Sequence, residues 1–220
     1  MNKTRRGFAL AAIASALLGG GILVGLSIGG FERTATAQNI SQDELNKPGP
    51  LGDIALGNDN APITMIEYAS MTCPHCAHFS NDVFPEFKKK YIDSGKVRFI
   101  MREFPLDQLA AAGFMLARCG GKDRYYPLIE TLFATQRDWV VQRPLQPLMK
   151  IAKQAGISED AFNQCLKDQK ILDGINEVRE RASKVFKVDS TPTFFINGKV
   201  FKGEATLEEF EKQLAPYLKS

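Results

Sequence analysis

The chain has 220 residues, 44% of them hydrophobic and 24% charged, the proportions of a soluble globular protein long enough for one substantial domain. Its formal charge of +3 comes from the N-terminus, where Lys3, Arg5, Arg6 and Arg33 face the single acid Glu32 in the first 37 residues; setting these aside leaves 24 bases against 24 acids. A neutral remainder excludes a nucleic-acid partner, which needs a basic face to neutralise phosphates, and the densest cationic run, Lys88-Lys89-Lys90, reads as a solvated helix face.

The first element is an export signal. A basic start leads into an apolar stretch from Phe8 to about Ile28, and Ala35-Thr36-Ala37 supplies the small residues of a cleavage site. Thr4-Arg5-Arg6-Gly7-Phe8 also fits a twin-arginine signal. The apolar run approaches the roughly 20 residues that span a bilayer, so an uncleaved membrane anchor stands beside the cleaved signal as a second reading of residues 1–37. Either way the rest of the protein lies outside the cytoplasm, where disulfides persist.

Residues 38–60, rich in Gly, Pro, Asn and Asp, read as a linker or N-terminal extension. Ile63–Ala69 is a buried strand that runs directly into Met71-Thr72-Cys73-Pro74-His75-Cys76-Ala77-His78. Apolar positions then recur at helical spacing through Tyr91; Pro74 suits the first turn, and Pro85 predicts a kink. Val97–Arg102 is the second strand, so residues 61–103 form a β-α-β unit. Residues 104–187 are a helical block, with helices expected over 106–119, 123–136, 147–155, 159–167 and 171–185. From 188 to 220 strands return: Thr193–Ile196 and Lys199–Lys202 flank Asn197-Gly198, a strong hairpin signal, and the capping box Thr206-Leu207-Glu208-Glu209 opens a last helix. One α/β sheet is completed only if the two ends pair across the helical block.

Cys73-Pro74-His75-Cys76 carries the chemistry. A metal site is disfavoured because Cys119 and Cys165 stand alone and the two histidines crowd the cysteine pair. As a structural staple the pair would close too short a loop to restrict the unfolded chain usefully. A redox pair fits the strand-to-helix junction. Cys73 at the helix N-terminus is the exposed attacking thiol, held as an anion by free amides, the helix dipole and a protonated His75, while Cys76 is the recessed resolver. Each unit by which the Cys73 pKa falls favours the reduced form by about 1.4 kcal/mol, or about 30 mV for a two-electron couple, which points to an oxidant.

That motif after the strand Met65–Thr72, followed far downstream by Ser190-Thr191-Pro192-Thr193 and the hairpin, resembles the thioredoxin superfamily and, within it, the bacterial periplasmic disulfide oxidoreductases of the DsbA type. The resemblance covers about residues 61 to 220. It implies a thioredoxin fold with an inserted α-helical domain and a cis Pro192 facing the cysteines. It also implies that Thr191 offers backbone hydrogen bonds to an extended substrate and that a buried Glu67 exchanges protons with Cys76; the alternative for Glu67 is an ion pair with Arg102 or another cation. His78 is a surface residue, and Trp139 is assigned packing only. Cys119 and Cys165 in the helical block are read as a structural disulfide worth about 4 kcal/mol, the alternative being two free buried thiols.

The expected protein is therefore an exported thiol oxidase that passes the Cys73–Cys76 disulfide to exported proteins with free thiols through a mixed disulfide at Cys73. A membrane partner or a small-molecule oxidant resets it. No metal, nucleotide or flavin is implied, since the chain lacks a phosphate-binding glycine signature. The rivals are a reductase or isomerase, for which residues 38–60 are too few to build a dimerisation domain, and a non-catalytic binding or chaperone module. No oligomeric state follows from the sequence.

Overall fold

A computed structural model describes residues 41–201 and 203–218; the expected export signal lies outside them. The chain opens with a short helix α1 (Gln42–Asn46) capped by Ser41, then strand β1 (Ala55–Leu56) and strand β2 (Ile63–Ala69). Helix α2 (Pro74–His78) follows, with α3 (Phe84–Phe87) beyond it and π-helical turns over Phe79–Val83 and Lys88–Ile92. The expected kink at Pro85 is absorbed in this way. Proline has no amide to donate, and the wide turn ahead of it resets the hydrogen-bond register without ending the helix. Strand β3 (Val97–Glu103) completes the first β-α-β unit.

The helical block is α4 (Gln108–Cys119), α5 (Lys122–Ala134), α6 (Gln136–Trp139), α7 (Leu145–Gln154), α8 (Glu159–Cys165) and α9 (Gln169–Lys184). Strands β4 (Thr193–Ile196) and β5 (Lys199–Val200) and helix α10 (Leu207–Leu218) end the described chain. The hairpin turn is built by Asn197 at φ 46° and Gly198 at φ 82°, the left-handed pair that a two-residue connection requires. Thr206 Oγ1 accepts from the Glu209 amide at 3.3 Å, as the capping box predicts.

The five strands lie in the order β1-β3-β2-β4-β5, with β2 and β3 parallel and the remaining pairs antiparallel. Alternation along each strand splits the core. Met65, Ala69, Phe99, Met101 and Phe194 pack on one face with α2 and the helical block, while Ile66, Tyr68, Ile100 and Phe195 pack on the other with Val178 and Ala182 of α9. Glu67 shares the parity of Met65 and Ala69 and so belongs to the face that carries the cysteines.

Of the two readings of residues 38–60, the free linker is corrected and the described part is an extension packed on the fold. In its described part Ala55 and Leu56 pair with Ile100 and Phe99, and Leu45 is buried. Arginines on the folded body hold the carbonyls of this segment: Arg102 donates to Leu45 O at 2.7 Å and Lys47 O at 3.1 Å, Arg181 to Lys47 O at 2.9 Å, and Arg118 to Gly52 O at 3.0 Å. A segment without hydrophobic periodicity is fixed through its backbone, which side-chain patterning does not reveal.

Candidate active site

Strand β2 delivers the chain to Ser70, and the Cys73 amide closes a turn onto Ser70 O at 3.1 Å. Cys73 is the N-cap of α2 with extended backbone, and Pro74 occupies the first turn, where a missing amide leaves no bond unmade. Both cysteines carry free thiols. The expectation of an exposed Cys73 is corrected: it shows only 5% of its surface, and Cys76 shows none. The Cys73 thiol is covered by the segment before β4, donating to Thr191 O at 3.2 Å, while Pro74 and His75 on the outer side of the terminus stay exposed. The Thr191–Pro192 peptide is cis. A groove of ≈ 590 Å³ opens beside it, lined by His75, Pro192, Thr193, Phe194, Phe201 and Glu204 among others.

The two thiols are tuned in opposite directions. Cys73 falls from an ordinary 9.0 to about 5, held down first by the Cys76 thiol and then by Thr191 and the backbone amides of Cys76 and His75, against the opposing effect of burial. The Thr191 hydroxyl, buried and otherwise unpartnered among the described residues, can turn its proton to the sulfur once the thiol ionises. His75 contributes to this tuning through its backbone amide. Cys76 is pushed well above 9.0, first by burial, then by its hydrogen bond to Cys73 and by the charge of Glu67.

Glu67 is fully buried, and neither carboxylate oxygen has a hydrogen-bond partner among the described residues. Burial, and after it the charge of Cys73, holds its carboxyl well above the usual 4.5. The alternative pairing with Arg102 fails on register. Arg102 stands opposite Tyr68, one residue from Glu67 and therefore on the other face, where it binds Asp53 at 2.8 Å and the Tyr68 hydroxyl at 3.0 Å. His78 is exposed, pairs with exposed Asp82 at 2.6 Å and lines the same groove as His75. Trp139 is fully buried and donates to Leu132 O at 2.7 Å. Cys119 and Cys165 form a disulfide that ties the end of α4 to the end of α8.

Several contacts to the active-site loop carry no sequence signal. Thr72 donates to Asp107 Oδ2 at 2.7 Å while Asp107 Oδ1 caps α4, the Leu106 amide donates to Ser70 Oγ at 3.2 Å, and Gln136 Nε2 donates to Met71 O and Cys73 O. Gly113 lets α4 come this close, since a Cβ there would meet Met71 side-chain carbons at 3.2 Å. Of these residues only Asp107, as an N-cap ahead of an apolar helix, has a local signature.

A sequence model described as thioredoxin matches residues 51–215. The crystal structure of Wolbachia pipientis alpha-DsbA1 superposes with a TM-score of 0.75 at 36% identity, over 81% of this chain and 97% of that one. The chain belongs to the thioredoxin superfamily, in its DsbA branch. Disulfide bond formation protein D of Bacillus subtilis is 28% identical over 181 residues, 79% of this chain and 80% of the relative. A Rickettsia bellii protein named as a protein-disulfide oxidoreductase is 35% identical over 148 residues; the match spans 66% of this chain but only 57% of that relative's length. The likeness to alpha-DsbA1 extends over 81% of this chain and so takes in helical-block residues as well as the sheet.

Proposed function

We propose that the protein is an exported thiol:disulfide oxidoreductase working as an oxidant of substrate thiols. The observation that carries this reading is the opposite tuning of the two cysteines, with Cys73 lowered to about 5 and Cys76 raised well above its ordinary value. A pair whose reduced form holds a stabilised thiolate gives its disulfide away readily.

In the oxidised form a substrate thiolate attacks Cys73 Sγ. The Cys73–Cys76 bond breaks, a mixed disulfide forms at Cys73, and the electron pair leaves on Cys76, which takes a proton from Glu67. A second substrate thiolate then attacks the substrate sulfur of the mixed disulfide. It releases the substrate disulfide and leaves Cys73 as the low-pKa thiolate, so two substrate thiols are oxidised and one protein disulfide is reduced. Backbone groups at Thr191 beside Pro192 bind the substrate as an extended strand along the groove. The partners are exported proteins with free thiols, and a membrane protein or small-molecule oxidant restores the disulfide. The redox-active disulfide is the only cofactor this chemistry needs. The basic, apolar and small-residue order of residues 1–37 supports an extracytoplasmic, periplasmic location. Among the described residues no helix is long and apolar enough to cross a membrane.

The test is the reduction potential of the Cys73–Cys76 pair against glutathione. A value well above the poise of an oxidising compartment agrees with the proposal; a value near that of thioredoxin, about −270 mV, makes the protein a reductase and overturns it.

A further inference from the structure

Helix α2 starts without a side-chain cap: its N-cap residue is Cys73, whose side chain accepts no capping bond. Pro74 contributes no amide. The fixing contact comes from elsewhere in the chain: Gln136 Nε2 lies 2.9 Å from Met71 O and 3.0 Å from Cys73 O. Both acceptors are carbonyls, so the amide nitrogen, and not the oxygen, must face them. Cys73 O also accepts the first helical bond, from Ala77 N at 3.1 Å, so the Gln136 contact fixes the carbonyl on which the helix starts.

Gln136 is itself firmly seated. It begins α6, its carbonyl accepts from Val140 N at 2.9 Å, and α6 ends on fully buried Trp139, whose indole is bonded to Leu132 O. The contacts to Ser70 and Thr72 steady the same loop, but they end on side chains. Of these side chains, that of Gln136 is the one that reaches the carbonyl of the reactive cysteine.

We propose that Gln136 is a positioning residue for thiol exchange: its carboxamide pins the Met71 and Cys73 carbonyls and so fixes the backbone that presents the Cys73 sulfur at the start of α2. The inference rests on the thiol-exchange reading above and gives the helical block a part in the reaction without touching substrate.

The experiment compares Gln136→Met, similar in shape and without donors, with Gln136→Lys, which keeps a donor one bond further out and adds a positive charge; both are read at high salt, where that charge is screened. In the full chain two quantities are read: the pH midpoint for alkylation of Cys73 in the reduced protein, and the equilibrium constant with glutathione. Q136M is expected to raise the midpoint and make the pair about three- to tenfold less oxidising, roughly 15 to 30 mV; Q136K is expected to leave both at or beyond the wild-type value in the oxidising direction. Wild-type values in Q136M, or equal displacement in both variants, overturn the proposal. A drop in melting temperature common to both variants does not imitate the expected result, because with the lysine charge screened by salt the donor is what separates them. If the wild type itself proves to be no oxidant, the functional reading falls, and the alkylation midpoint, which needs no turnover, still judges Gln136.

Discussion

The ordering of groups around Cys73 makes Cys76→Ala an informative perturbation. In the wild type the Cys73 thiolate is held by the Cys76 thiol first, then by Thr191 and the amides of Cys76 and His75, and the result is a fall from 9.0 to about 5. At pH 7 the part of that fall below neutrality favours the reduced form by about 2.7 kcal/mol, equivalent to about 60 mV for the couple. This is an upper figure, because the helix terminus at Pro74 and His75 is exposed and water screens it. A hydrogen bond to a charged group contributes about 1.5–3 kcal/mol, so deleting the Cys76 thiol should raise the Cys73 midpoint by about one to two units. It should still remain below 9.0, since the backbone donors survive. Cys76→Ser, which keeps a donor, should stay closer to the wild type.

The assay is the pH dependence of thiolate absorbance or of alkylation in the reduced protein. A C76A midpoint unchanged at about 5 would refute the ranking and leave the backbone amides as the principal donors; a midpoint at 9.0 would show that those amides contribute nothing. Stability carries the same information with a definite sign. The folded pKa of Cys73 is depressed, so its contribution to the reduced protein is complete above the ordinary value of 9.0 and is lost as pH falls through about 5. The melting advantage of the reduced wild type over reduced C73A should therefore shrink across that interval, and in C76A it should shrink at higher pH.

Three further outcomes are expected. Glu67→Leu should stabilise the fold by about 1–3 kcal/mol at neutral pH in chemical denaturation while slowing thiol exchange, because a buried carboxyl without partners is removed. The raised carboxyl of the wild type costs nothing by ionisation below 4.5, and that cost grows as pH rises from 4.5 toward its folded value and then levels off, so the gain should grow with pH above 4.5. Replacing both Cys119 and Cys165 by Ala should lower stability by about 4 kcal/mol for a separation of 46 residues, read as a lower denaturant midpoint. Arg102→Ala should cost about 3 kcal/mol, because the partly buried Asp53 loses its partner, and limited proteolysis should then cut within residues 41–53.

Much of the fold was legible because it follows local rules. Asn197-Gly198 dictates its hairpin, Thr206 its helix start, and the cysteine pair at a strand-to-helix junction its chemistry. What escaped depends on distant partners. Ala55 and Leu56 become a strand only because the β3 edge at Phe99 and Ile100 is open, and a two-residue strand has no periodicity to read. The single helix expected over 123–136 divides at Thr135, whose backbone leaves helical geometry at φ −107°, and that break frees Gln136 to face the loop. The burial of Cys73 is likewise supplied by Thr191, which is 118 residues away in sequence. Glu67 was recognisable as an acid on an apolar strand, but only the register of β2 against β3 separates it from Arg102.

That separation has a consequence for the proposed reaction. Glu67 and Cys76 are both buried acids raised by desolvation, and the charge of Glu67 raises Cys76 further, so their space tolerates one negative charge far better than two. When the disulfide opens, the electron pair arriving on Cys76 would bury an anion among apolar side chains. A neutral Glu67 can supply the proton, and the charge then sits on the carboxylate. An arginine on that face would hold Glu67 permanently ionised, unable to give the proton, and would lower Cys76 toward its neighbour. The unpartnered carboxyl therefore keeps the two thiols apart in acidity: Cys73 remains the anion at the helix terminus, and Cys76 remains the group that leaves protonated.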